Sequence, residues 1–203
     1  MPRLSINASY KSAVDNLHVI NRYLIKSKNL PSDMQGFVAE LLMLRLFGIL
    51  ETCMLEVSIR IACGVPYRNG MASHPIVLCT SKAEAIEKFH TEGRPKRTNY
   101  LQFSNVHNIN NSIKNVIDAS EPLRLKLSYY GNEFEEMRRI RNHIAHHTQS
   151  TFSEYKQVIR TRYGANLKIR PGTFLISTKR EPRALIETYY QTVKIIIDDV
   201  TNG

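Results

Sequence analysis

The stretch Gly131-Asn132-Glu133-Phe134-Glu135-Glu136-Met137-Arg138-Arg139-Ile140-Arg141-Asn142-His143-Ile144-Ala145-His146-His147 reads as one helix. Phe134, Met137, Ile140 and Ile144 recur at helical spacing and mark its buried stripe. Gly131 and Asn132 supply a turn and an N-cap, and the acidic residues of the first turns suit the positive end of the helix dipole. At about 100° per residue, Arg141 falls beside Met137 and Ile144 on the apolar stripe. A guanidinium keeps its proton, so an Arg placed there needs a carboxylate, a phosphate or an interface. Arg138, Asn142 and His146 follow one another at i, i+4 and i+8 on the adjoining polar shoulder. One helix end thus presents an Arg, an Asn and an imidazole.

Working backwards, the residues from Met34 to Cys63 form the longest helical pattern, stopped by Gly64-Val65-Pro66. Its apolar residues, Phe37, Val38, Leu41, Leu42, Leu44, Phe47, Leu50, Met54, Val57 and Ile61, wrap most of the cylinder. Such a helix is expected to be buried on several sides, by its own chain and by a second subunit. Within it, Glu51 shares a face with Leu44, Phe47 and Leu55, and a carboxylate there wants a cation, for which Arg141 is the candidate. Glu56 and Arg60 make an ordinary i, i+4 pair. A first helix spans 9 to 28, with Ser9 as its cap. Pro75-Ile76-Val77-Leu78-Cys79 reads as a short extended piece. Ser81-Lys82-Ala83-Glu84 is a capping box for a helix to His90. Ser104 caps an Asn-rich helix to Ile117, and Ser120-Glu121-Pro122 opens another that runs into the 131–147 helix unless Gly131 separates them.

Working forwards, Ser153 to Tyr163 is a helix ended by Gly164. Leu167 to Ser177, turning at Pro171-Gly172, reads as a small hairpin. Glu181-Pro182 opens a last helix with Leu185, Tyr189, Val193, Ile196 and Ile197 inward. The expected fold is mostly α: a helical bundle with a long central helix and a small C-terminal β-hairpin. It forms a single domain over 1–203, with a helical core at 9–150 and a basic extension at 151–203.

Composition narrows the function. The chain has 203 residues, 42% apolar and 23% charged, with a net charge of +10 and a pI near 9.6. That balance is ordinary for a globular protein, so disorder is not the default, and the charge favours a polyanionic partner, nucleic acid ahead of a membrane. Between Ser153 and Arg183, eight Lys or Arg stand against two Glu. Arg160, Arg162, Lys168 and Arg170 from this segment, with Arg138, are the candidate RNA contacts. Cys53, Cys63 and Cys79 lack metal-ligand spacing and read as buried thiols of a reducing, cytoplasmic compartment. The N-terminal residues lack a signal-peptide core, and the most apolar run, Gly36 to Leu50, is interrupted by Glu40 and Arg45, so no membrane span is expected. P-loop, Rossmann, nucleophile-elbow and Cys-x-x-Cys patterns are all missing from the sequence. His143 and His147 have i, i+4 metal spacing but no acidic or Cys partner nearby, so neither a metal nor a cofactor is expected. Histidines at a helix C-terminus also simply suit its dipole.

The run Arg141-Asn142-His143-Ile144-Ala145-His146 resembles the motif of the HEPN superfamily, in which Arg, often followed by a polar residue, precedes a His by four to six residues. The long apolar helix with Glu51 embedded in it is similar to that family's layout over roughly 10 to 150. The hairpin and last helix have no matching counterpart. The resemblance implies a metal-independent endoribonuclease whose site is shared across a homodimer. In it a ribose 2′-hydroxyl attacks the adjacent phosphorus, leaving a 2′,3′-cyclic phosphate and a 5′-hydroxyl. Arg141 would hold the phosphate, His146 transfer protons, Asn142 orient, and Glu51 partner Arg141. Such an enzyme would serve as a toxin or anti-phage effector restrained by an antidote or regulatory protein. The residue types suit the reaction: an imidazole titrates near neutrality and a fixed guanidinium stabilises developing phosphate charge. On an ideal helix, however, Arg141 and His146 stand about 140° apart. A frayed helix end, a partner from the second subunit, or His147 as the working residue would each resolve this; His143 is the further alternate. The alternative reading is a HEPN-like, non-catalytic partner protein that binds nucleotide or nucleic acid.

Overall fold

The computed structural model describes residues 4–179 and 182–203. Among these the chain forms nine helices: α1 (Ile6–Ser27), α2 (Ser32–Ala62), α3 (Lys82–Thr91), α4 (Val106–Ile113), α5 (Pro122–Tyr129), α6 (Gly131–His146), α7 (Gln149–Tyr163), α8 (Pro171–Ile176) and α9 (Leu185–Asn202). The architecture is a helical bundle, and no helix among the described residues is long and apolar enough to cross a membrane. The chain divides into two compact units: Met1–Val14 with Leu50–Phe134 and Ile195–Gly203, and Asp15–Ile49 with Glu135–Lys194.

In the first unit the core is built on the second half of α2, where Leu50, Cys53, Met54, Val57, Ile59, Ile61 and Ala62 are all buried. The buried Ser58 hydroxyl donates back to the Met54 carbonyl at 2.8 Å, so the run carries no orphaned polar group there. Arg60 pairs with Glu56 as its spacing predicts. The helix stops where Gly64 turns left-handed at φ 70°, and Val65 N–H closes on the Arg60 carbonyl at 3.0 Å. The extended piece that follows makes one isolated bridge, Pro75 with Ile117. Ser81 caps α3 by accepting from Glu84 N–H, but the Glu84 carboxylate turns to Thr80 N–H at 2.7 Å instead of closing a box on Ser81. Asn105, not Ser104, caps α4, because its longer side chain accepts from Asn108 N–H at 2.7 Å. Helix α5 opens on Pro122, while Glu121 points inward to accept from Tyr67 Oη–H at 2.9 Å and His74 N–H at 3.2 Å. Ser9, expected as a cap, lies inside α1, which already begins at Ile6. The break before α6 falls at Tyr130, with φ −102° and ψ 14°, so Gly131 and Asn132 are helical residues and not a turn and cap.

In the second unit α6 lays Met137, Ile140 and Ile144 into a core with Leu42, Met43, Leu46 and Phe47 of α2, Tyr155, Val158 and Ile159 of α7, and Phe174 of α8. Helix α7 begins at Gln149, earlier than Ser153, because Thr148 and Thr151 cap it reciprocally; it ends at the left-handed Gly164, φ 68°. The hairpin expected over 167–177 is absent: Pro171–Ile176 is the short helix α8. Its buried residues are Pro171, Gly172, Phe174 and Leu175, a helical spacing. A strand would have put Phe174 and Leu175 on opposite faces, whereas both are fully buried. Tertiary packing selects the helix. Gly172 lies against the α2 backbone so closely that a Cβ there would stand 2.6 Å from the Gly36 carbonyl oxygen, and its N–H donates to Glu40 Oε1 at 2.7 Å. Glu181, expected to open the last helix, lies outside the described residues, as do Arg180 of the basic segment and Met1-Pro2-Arg3. Helix α9 starts at Leu185, with Leu185, Tyr189, Val193, Ile196 and Ile197 buried as their spacing predicts.

Candidate functional site

The end of α6 is the centre of the candidate site. Arg141 and Asn142 are both half-buried, and Arg141 Nη1 donates to Asn142 Oδ1 at 3.0 Å. The Arg141 guanidinium carbon lies 5.8 Å from the centroid of the Phe47 ring, within cation–π range. His146 is the last helical residue and is exposed. His147 ends the helix in a left-handed conformation, φ 48°, its N–H donating to the His143 carbonyl at 3.1 Å. That is the geometry a C-terminal glycine usually supplies, and in a residue with a Cβ it stores strain of about 1–2 kcal/mol. Thr148 then caps α7, so α6 and α7 meet in a tight corner built from the histidine run itself.

His143 has a different environment from its neighbours. It is buried, stacked on Tyr155 with ring centroids 5.0 Å apart, and also contacts the rings of Phe152 and His147. Burial, aided by the neighbouring His147, pushes its pKa below the ordinary imidazole value. His143 therefore belongs to the packing of α6 on α7.

Beside this corner lies a cavity of about 380 Å³ lined by Glu40, His143, His147, Phe152, Lys168, Ile169, Arg170 and Pro171. Lys168 and Arg170 are exposed, on the segment that leads into α8. The segment is fixed from behind by Tyr155 Oη–H, which donates to the Ile169 carbonyl at 3.1 Å. The cavity therefore combines two cations, two imidazoles, an aromatic face and one carboxylate, and Glu40 is already engaged by Gly172 N–H. Chemically it suits an anion attached to a flat or apolar group.

The remaining residues singled out in the sequence divide by their surroundings. Arg138 is forked onto Glu135, at 2.9 and 2.7 Å, and reaches Glu154 of α7 at 3.1 Å. The Arg138 and Arg139 guanidinia together hold the Glu135 carboxyl below its usual range. Arg162 donates to Glu136 at 2.7 Å, and the same carboxylate oxygen accepts from Tyr189 Oη–H. These two cations join helices within the unit. Arg160, Lys168 and Arg170 are exposed on the same unit. Glu51 is half-buried on α2 and belongs to the first unit. The cavity brings together His143, His147, Lys168 and Arg170; Arg141, Asn142 and His146 are not among its lining residues. Sequence reasoning missed Glu40, Phe152 and Tyr155 as neighbours of the histidines. The one available signal was Glu40 itself, a carboxylate set in the apolar run of α2 just as Glu51 is. Comparison of the chain with family models, with curated proteins and with solved structures gives no match, and the likeness of its histidine motif to the HEPN pattern rests on those residues alone.

Proposed function

We propose that the chain is a metal-independent endoribonuclease in which Arg141, Asn142 and His146 act on a phosphodiester at the end of α6. The observation that carries this reading is a half-buried guanidinium hydrogen-bonded to the adjacent amide, followed at the helix terminus by an exposed imidazole. Arg141, tied in place by Asn142 and Phe47, would hold the phosphate and the charge that grows on it. His146 would take the 2′-hydroxyl proton as the 2′-oxygen bonds to phosphorus, or return a proton to the 5′-oxygen as the P–O5′ bond breaks. One His146 cannot do both in a single step, which is why a second subunit's histidine suits the reaction. Arg160, Lys168 and Arg170 would carry the flanking strand. The test is incubation of purified protein with RNA in EDTA. Products ending in 2′,3′-cyclic phosphate and 5′-hydroxyl are expected, with none when the cut-site 2′-hydroxyl is replaced by hydrogen. A requirement for a divalent metal, or equal cutting of DNA, would refute the mechanism.

The cavity at the α6–α7 corner favours a second reading, binding of nucleotide or nucleic acid without cutting. It gathers Lys168, Arg170, His143 and His147 but not His146. Tight, salt-dependent RNA binding with intact RNA recovered afterwards would select this reading.

A further inference from the structure

Within the first unit, the segment from Arg94 to Gln102 and helix α4 line another cavity, of about 220 Å³. The segment is irregular but anchored at three points. Arg94 Nη2 donates to the Asn111 carbonyl, and to that of Ser112 at 3.4 Å. The buried His90 ring donates from Nδ1 to the Thr98 carbonyl at 2.8 Å. Gln102 N–H donates to Ser112 Oγ, and the Ser112 hydroxyl donates back to the Gln102 carbonyl, both at 3.2 Å. Tyr100 lies between the last two anchors, lines the cavity and is 68% exposed.

Three side-chain amides line the same cavity, those of Gln102, Asn108 and Asn111. Asn108 and Asn111 stand three residues apart on one face of α4. Asn108 Nδ2 donates to Ser104 Oγ at 3.5 Å and Asn111 Nδ2 to His107 Nε2 at 2.7 Å, which leaves both Oδ1 atoms to accept. Among the described residues the Gln102 amide makes no side-chain hydrogen bond, and the buried Arg94 Nε has no partner. This set calls for a flat ligand that gives N–H to neighbouring acceptors and takes one N–H itself. A free phosphate does not fit, because Arg94 is the one charged residue of the lining and the amide oxygens would repel it. A small cation is disfavoured by Arg94 and by the net charge of +10. A nucleobase with an exocyclic amino group supplies the N–H groups and a ring acceptor, and its plane can stack on Tyr100. The phosphates of its strand would meet the exposed Lys96 on the segment and Lys114 at the end of α4. The volume is below the roughly 300–1,000 Å³ of pockets that enclose drug-sized ligands, and suits one base. We propose that this cavity takes one unpaired, amino-bearing base of a polynucleotide strand. That the strand is RNA rests on the function proposed above; the base pocket does not depend on cutting.

The test reads binding of short 2′-O-methyl oligonucleotides, which 2′-hydroxyl attack cannot cut. The full chain should bind oligo(C) about 5-fold or more tightly than oligo(U), because uracil carries a carbonyl where cytosine carries its amino group. Tyr100→Ala should weaken oligo(C) binding about 5-fold or more, and Tyr100→Phe should preserve it. Asn108→Ala should abolish the preference for oligo(C) while leaving oligo(U) binding unchanged. Should Asn108→Ala lose the helical circular-dichroism signal, Asn111→Ala must show the same effect in a folded protein. Failure to bind either strand, equal affinity for the two, or binding indifferent to Tyr100→Ala would each overturn the proposal. Cytidine monophosphate that competes as well as oligo(C) would assign the pocket to a free nucleotide and overturn the strand. Polyglutamate that binds as tightly and is equally weakened by Tyr100→Ala would assign it to an acidic peptide. Strand binding that ignores Tyr100 and Asn108 would overturn this pocket and leave the α6 chemistry standing. Uncut RNA, bound with the expected sensitivity to both residues, would do the reverse.

Discussion

The two halves of α2 have the same kind of sequence and opposite surroundings. From Leu50 to Ala62 most of the helix is buried, and even Ser58 lies in the core, while Glu51, Leu55, Glu56 and Arg60 are half-buried and Thr52 is exposed. From Met34 to Leu44 one face is packed by Leu42 and Met43 while Met34, Phe37 and Leu41 face outward. Apolar periodicity tells which residues share a face; it does not tell what covers that face. The second half is largely covered by its own chain, whereas the first half presents an exposed apolar stripe of regular spacing. Apolar surplus on a long helix is therefore informative only once the covered part has been set aside.

The largest expected effect on stability follows from that contrast. Met54→Ala, which empties a fully buried site, should cost about 2–5 kcal/mol in denaturant unfolding. Phe37→Ala should change monomer stability by no more than about 0.5 kcal/mol despite removing a larger side chain. Equal losses at the two positions would mean that the halves are alike. Next comes Gly172→Ala. The added Cβ would stand 2.6 Å from the Gly36 oxygen, and because that contact is backbone on backbone it should cost about 1–3 kcal/mol. Gly48→Ala, with open space around it in the interior of α2, should stabilise by about 0.5–1 kcal/mol and so serves as the control of opposite sign.

The same Gly36–Gly172 contact explains what was legible in the sequence. Local stops were readable because each is written in one or two residues: Gly64 and Gly164 in left-handed geometry, Ser81 as a cap, the inward stripe of α9. Helix α8 was not readable. Thr173-Phe174-Leu175-Ile176 has strand composition, and what makes it helical is a glycine and a glutamate on α2, more than a hundred residues earlier. The candidate site divides in the same way. Arg141, Asn142 and His146 were legible as a motif on one helix. The cavity was not, because Glu40, Phe152 and Lys168 join His143 only after α7 turns back at Thr148.

His143 offers a smaller effect with a defined sign. Its pKa in the folded chain lies below the ordinary value of 6.5 because the stacked rings of Tyr155 and Phe152 exclude water. The unfolded chain therefore takes up this proton more readily than the folded one. The stabilisation is complete above pH 6.5 and is lost as pH falls from there towards the lowered folded value. His143→Gln should remove that part of the slope when unfolding is compared at pH 7.5 and 5.5. An unchanged slope would show that another group titrates in the window.

His146→Ala should have the smallest effect on stability and a large effect on function. The side chain is exposed at the last residue of α6, so unfolding should shift by no more than about 0.5 kcal/mol. If His146 moves a proton in the reaction, cleavage should fall about 100- to 10,000-fold. His147 supplies the internal comparison, because it lines the cavity and His146 does not. His147→Gly would keep the left-handed turn, and relieve its strain, while removing the imidazole. Cutting lost at His146→Ala and retained at His147→Gly would place the chemistry at the helix end beside Arg141. The reverse result would move it into the cavity with Lys168 and Arg170, making the working spacing from Arg141 one residue longer. Loss of RNA binding at His147→Gly, with no cutting by any variant or by the wild type, would leave the cavity as a binding site alone.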